Sequence, residues 1–290
     1  AMAVESLRRK SPTRSKSRAP RALYQMSFLA PVAIAGLSAL ALQIFLAVIF
    51  SLLPPGPWKS LPAFTAHRVV SFTTMIYVTV IGGRAWLFPD AAMTAASATS
   101  LSRILNAHPD SRLLAQVLLG LNVFWDIPAG FAIASLRERS NARTMLVHHL
   151  VVVLLSYLVI DPPRFHYYVA FFFGLIEMSS VPMALMDLCH PRNAPWFALS
   201  KRSKGVALAN SVLRGIFAIS YMVLRAVCFP YVMFTGVLPD IYALLHLEPP
   251  PPVSKASLLT VGVSGILLTG LQLHWAWLIV QQALPAKKRA

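Results

Sequence analysis

Residues 145–160, MLVHHLVVVLLSYLVI, place two adjacent histidines near the start of an apolar run long enough for most of a membrane crossing. A helix in hydrocarbon satisfies its own backbone, but an ionisable ring there needs a partner from another helix. The stretch therefore predicts a helix inside a bundle, and it asks where the partners lie.

The rest of the chain supplies the bundle. Of 290 residues, 57% are hydrophobic and 12% charged, with a mean hydropathy of +0.63. Apolar content on this scale exceeds what one soluble core can bury. A hydrocarbon core about 30 Å thick takes roughly 20 apolar residues per helix. Seven runs approach or exceed that length: 28–53, 69–88, 113–136, 145–160, 167–188, 206–237 and 258–283. The expected fold is an all-α integral membrane protein with about seven transmembrane helices, since the alternation of a barrel strand is absent. The sixth run is long enough to bend at Pro230. Cys189 and Cys228 are too few for a disulfide framework or a CxxC metal site, so no metal is expected.

The formal charge of +16 gathers at the ends: seven of 26 basic residues lie in RRKSPTRSKSRAPR and three more in the final KKRA. Without aromatic–basic interleaving, such clusters fit an anionic membrane surface better than a nucleic acid, and no nucleic-acid partner is expected. Residues 1–25 lack apolar periodicity and read as a disordered basic tail, a composition shared with transit peptides; residues 26–61 read as a first membrane helix and connecting loop. At the other end, Lys287 and Lys288 resemble the dilysine signal that returns membrane proteins to the endoplasmic reticulum through coatomer, an address read by a receptor.

Alternate loops differ in charge. The loops 54–68, 137–143 and 189–205 with the final tail carry 12 Lys and Arg, against 4 in the loops 89–112, 161–166 and 238–257. Positive loops stay cytosolic, which predicts a cytosolic C terminus. Seven spans then put the basic N-terminal tail on the opposite side, so either that tail is an exception or the span count differs by one.

Polar residues within the spans are candidate functional groups. The third span holds Asn122 and Asp126, the fourth His148 and His149, the fifth Glu177, Ser179 and Ser180, the sixth Asn210, Arg214 and Arg225, the last Gln272 and His274. At about 100° per residue, His149 and Ser156 share a line while His148 points about 100° away. One ring can line a cavity while the other bonds to a neighbouring helix. Asn210, Arg214 and Arg225 share a face that is expected to point inward. With Ser156 and Ser179, Asn210 and Arg214 are expected to line a lipid-sized cavity, which Pro128 and Pro182 help to open by bending their helices. Asp126 or Glu177 paired with Arg214 or Arg225 reads equally well as an interhelical tie. No HExxH, GxSxG, P-loop or dinucleotide pattern is present.

VHHLVVVLLSY, followed by LIEMSSVP, resembles the TLC-domain family, which includes the ceramide synthases and the endoplasmic reticulum protein of neuronal ceroid lipofuscinosis. HRVVSF at 67–72 is similar to the start of that family's first core helix, FWDIP to the aromatic and Asp before the histidine pair, NSVLRGIFAISYMVLR to the helix with an inward Arg, and LQLHWAWLIV to its last helix. The resemblance implies a TLC-like domain over 62–283, a helical bundle around a membrane-embedded cavity, ahead of a short basic tail over 284–290.

In ceramide synthases the paired histidines serve acyl transfer from acyl-coenzyme A, which implies His148 and His149 as catalytic candidates with Glu177 or Asp126 as orienting acid. Those enzymes carry a His-Asp and a further Asp in the next helix, where this chain offers only Glu177. EMSSVP is nearer the non-synthase members. The expected function is therefore an endoplasmic reticulum protein that binds or regulates membrane lipids, sphingolipid or phospholipid. The alternatives are a lipid acyltransferase with acyl-coenzyme A as co-substrate and no resident cofactor, or an adaptor for membrane cargo.

Overall fold

The computed structural model describes residues 19–137 and 142–283. The basic segment before residue 19 and the Lys287 and Lys288 pair lie outside the described residues. Among the described residues every regular element is a helix, and seven helices are long and apolar enough to cross a membrane. They are α1 Ala19–Leu52, apolar from Leu29 onward, α2 Pro62–Leu87, α3 Pro109–Ala132, α4 Ala142–Ile160, α5 His166–Cys189, α6 Lys204–Leu245 and α7 Lys255–Ala283. All seven expected spans are present. Their limits shift most where a helix starts or ends in polar residues: α2 begins at Pro62, whose missing N–H costs nothing in a first turn.

The helices close a ring. α3 packs on α4, α4 on α7, α7 on α6, α6 on α5, α5 on α2, and α2 on α3, while α1 lies outside against α2 and α3. Short helices, among them Ala91–Ala96 and Ser100–Leu105, cover one end between α2 and α3. Asp90 caps the first of these, accepting the Met93 N–H at 2.8 Å. That bond, with His108 beside it, holds the Asp90 carboxyl below its ordinary range.

Four prolines interrupt the α-helical ladder, and each interruption lies just before its proline. Wide turns cover Asn122–Asp126 before Pro128, Met222–Cys228 before Pro230 and Met233–Val237 before Pro239. A tight turn covers Leu175–Ser179 before Pro182. A proline lacks the N–H that would reach the carbonyl four residues back and crowds that carbonyl, so the preceding turn changes its spacing. In hydrocarbon those freed groups must be satisfied locally or turned toward a cavity. At Pro230, where a bend was expected, the ladder changes to the wide turn Met222–Cys228.

Two glycines set the distance between α1 and α3. A Cβ on Gly120 would collide with the Val32 carbonyl, and one on Gly36 with the Gly120 carbonyl, so α1 and α3 touch backbone to backbone. Close approach of this kind is how membrane helices gain dispersion contacts. Replacing Gly120 with Leu should lower stability by about 1–3 kcal/mol through overpacking. Thermal unfolding in detergent, compared with the open position variant Gly130→Leu, measures that loss.

Candidate functional site

The two histidines separate. His149 turns toward α3: its Nε2 lies 3.1 Å from Asp126 Oδ2 and its Nδ1 2.5 Å from Asn122 Oδ1. Asn122 is oriented by donating to the Leu118 carbonyl at 2.8 Å. The other Asp126 oxygen meets His67 Nε2 of α2 at 3.2 Å. His67 Nδ1 in turn faces Gln43 Oε1 of α1 at 2.9 Å, and the same oxygen accepts the Trp125 indole N–H at 2.6 Å. Both ring nitrogens of His149 are thus engaged within the protein. This network ties α1, α2, α3 and α4 together around one carboxylate.

His148 takes the other side of α4. Its ring packs edge-on against Trp275 of α7, with centroids 5.6 Å apart. Its Nδ1 is buried without a hydrogen-bond partner, and the side chain lines a cavity.

Opposite it stands an ion pair between α5 and α6. Arg225, 5% exposed, donates from Nη2 to Glu177 Oε2 at 2.8 Å and to Ser180 Oγ at 3.0 Å, and from Nε to Ser179 Oγ at 2.7 Å. Ser180 Oγ also donates to Glu177 Oε2 at 2.6 Å. The tight turn of α5 and the first wide turn of α6 present these groups to each other. A guanidinium in hydrocarbon is tolerable only when paired and bonded in this way.

The cavity lies between α3, α4, α5, α6 and α7 and is narrow, with a volume of about 80 Å³. From α4 it takes His148, Val152, Leu155 and Val159, a stripe at helical spacing. One end is polar: His148, Glu177 and Gln272. Gln272 is 0% exposed; its Oε1 accepts the Tyr221 hydroxyl at 2.7 Å, while its Nε2 has no partner. The walls and the far end are aliphatic and aromatic.

Beyond that far end, Arg103, which lies outside the spans on the short helix Ser100–Leu105, reaches Asp240 of α6 with Nε–Oδ2 2.6 Å and Nη2–Oδ1 2.5 Å. These bonds push the guanidinium further above its ordinary range, against the opposing effect of burial.

The residues expected at the site are divided among these places. His148 and Glu177 meet at the polar end of the cavity, while His149 and Asp126 meet in the network beside it. Ser179 is buried in the ion-pair cluster and Ser156 is fully buried, and neither lines the cavity. Asn210 and Arg214 were expected to point inward but do not line it either, and Arg214 is exposed. That expectation assumed one α-helical register from Asn210 to Arg225, and the wide turn starting at Met222 breaks it. Gln272 lines the cavity; His274, two residues on, is exposed. Sequence reasoning left His67, Gln43 and the Arg103–Asp240 pair without roles. Asp240 fell in the segment 238–257, read from the sequence as a loop, whereas α6 continues through it to Leu245. Among the described residues no group of three His, Cys, Asp or Glu side chains is arranged to hold a metal ion.

A family model described as the TLC domain matches residues 65–281. No curated protein and no solved structure matches the chain.

If the ion pair holds α5 against α6, Glu177→Ala should leave Arg225 buried and unpaired and lower stability by about 3–5 kcal/mol. The double variant Glu177→Ala/Arg225→Met should recover most of that loss. Thermal unfolding in one detergent compares the two.

Proposed function

Because the chain belongs to the TLC-domain family of lipid-related membrane proteins, we propose that it binds a membrane lipid by taking one acyl chain into the cavity. The observation that carries this reading is a pair of unsatisfied polar atoms, His148 Nδ1 and Gln272 Nε2, on side chains lining the polar end of an otherwise apolar chamber. A buried polar atom without a partner is costly. The amide N–H of Gln272 is a donor and a neutral imidazole nitrogen can be an acceptor, which suits the ester, carboxyl, amide or hydroxyl group at the head of an acyl chain. The chain itself meets Leu, Val, Phe and Met, which offer it dispersion contacts in place of those it leaves in the bilayer. Sphingolipid and phospholipid both present this chemistry.

The role is maintenance of membrane lipid composition in the endoplasmic reticulum. Lys287 and Lys288 support retrieval there through coatomer, and the loop charges support a cytosolic C terminus.

A specific observation favours a second reading, acyl transfer. His148, unlike His149, has an unengaged ring nitrogen at the head of the chamber. That nitrogen could attack the thioester carbonyl of acyl-coenzyme A, forming an N–C bond as the C–S bond breaks and the thiolate leaves. An amine or hydroxyl acceptor then takes the acyl group, returning the ring.

Mass spectrometry of protein purified in mild detergent should find co-purifying lipid. Leu268→Trp, which fills the chamber, should reduce it on the order of tenfold. Equal lipid in both proteins would contradict the binding reading. With labelled acyl-coenzyme A and a lipid amine, His148→Ala should abolish product if the second reading holds, and absence of product with the unaltered protein would end it.

A further inference from the structure

Three of the wall helices run the length of the cavity and supply a residue near each end: His148 and Val159 from α4, Gln272 and Val261 from α7, Glu177 and Tyr168 from α5. Along α4 and α7 these ends are eleven residues apart, about 16 Å at 1.5 Å per residue. That is close to half of a hydrocarbon core about 30 Å thick, the depth spanned by the chains of one leaflet.

The far end is closed by a polar assembly hidden behind an aromatic ring. Tyr168 lines the cavity with its ring, and its hydroxyl donates to Asp240 Oδ2 at 2.5 Å. Asp240, 1% exposed, is gripped by Arg103 from the short helix Ser100–Leu105 through two bonds. Arg103 also donates to the Ser97 carbonyl at 2.8 Å. On another side the ring rests on Gly236, where a Cβ would come within 3.0 Å of the hydroxyl. Displacing the ring therefore means breaking a bond to a buried carboxylate and pushing against backbone. An apolar chain end gains nothing by reaching the ion pair behind it.

We propose that Tyr168, backed by Asp240 and Arg103, is a floor that limits the acyl chain held in the cavity to about the length of one leaflet's hydrocarbon. This rests on the acyl-binding reading above. Each methylene added up to the floor increases burial, and the first one past it has nowhere to go. Tyr168→Ala removes the ring yet leaves Asp240 paired with Arg103, so the buried charge stays neutralised. Val237, beside the ring at the same end, allows the opposite change by Val237→Phe.

The test uses the full chain in nanodiscs supplied with an equimolar ladder of saturated chain lengths, in one arm as free fatty acids and in the other as phosphatidylcholines. Native mass spectrometry reads the bound species after annular lipid is stripped. In whichever arm binds, occupancy should hold or rise with chain length up to a limiting length and fall beyond it, the competing state of each chain being lipid rather than water. Tyr168→Ala should move that limit to longer chains and Val237→Phe to shorter ones. Either shift supports the floor, so misfolding of one variant leaves the other to decide. A limit identical in all three proteins, or occupancy holding or rising without a limit, overturns the floor while leaving acyl binding intact. Absence of bound chains in both arms with the unaltered protein overturns acyl binding, and the floor with it.

Discussion

A guanidinium buried between two membrane helices dictates much of what surrounds it. Arg225 is far from water, so its charge requires the Glu177 carboxylate and its remaining donors require the hydroxyls of Ser179 and Ser180. Regular α-helices would offer these groups on a single pitch. Pro182 and Pro230 alter the turns before them; the acid, the Ser179 hydroxyl and the arginine sit on those altered turns, and Ser180 follows directly. Glu177 also lines the cavity, so the interaction that fixes α5 against α6 also fixes the polar end of the chamber.

The paired histidines show how one helix serves two purposes. Adjacent residues on an α-helix point about 100° apart, which turns His149 toward the Asp126 network and His148 toward the chamber. One ring is consumed in joining four helices. The other keeps a nitrogen free beside Glu177 and Gln272. At the opposite end a second ion pair, Arg103 with Asp240, stands behind Tyr168. The chamber thus has a polar end, an apolar shaft and an opposite end whose polarity is hidden.

Seven spans were legible because hydropathy is summed over some twenty residues and tolerates local irregularity. The divergence of His148 from His149 was legible too, being fixed by helical pitch within one unbroken helix. Which residue would meet which was harder. Glu177 with Arg225 was one of several pairings open to the charges in the spans, and only packing chose among them. Asn210 and Arg214 were misplaced because pitch was carried through a turn that does not keep it. His67 and Gln43 gain their places through Asp126 and Trp125, residues far along the chain, and no local pattern shows such partners. Asp240 pairs with an arginine in a connecting segment outside the apolar runs.

An acyl chain inside the ring of helices is the central claim, and photolabelling addresses it most directly. A diazirine-bearing fatty acid in nanodiscs, followed by peptide mapping, distinguishes the inner and outer faces of the same helices. The account predicts label on Val152 and Leu155 of α4 and on Val261 and Leu268 of α7, which line the chamber. Label confined to Leu150, Leu154, Leu259 and Val263, which face outward on those helices, would contradict it.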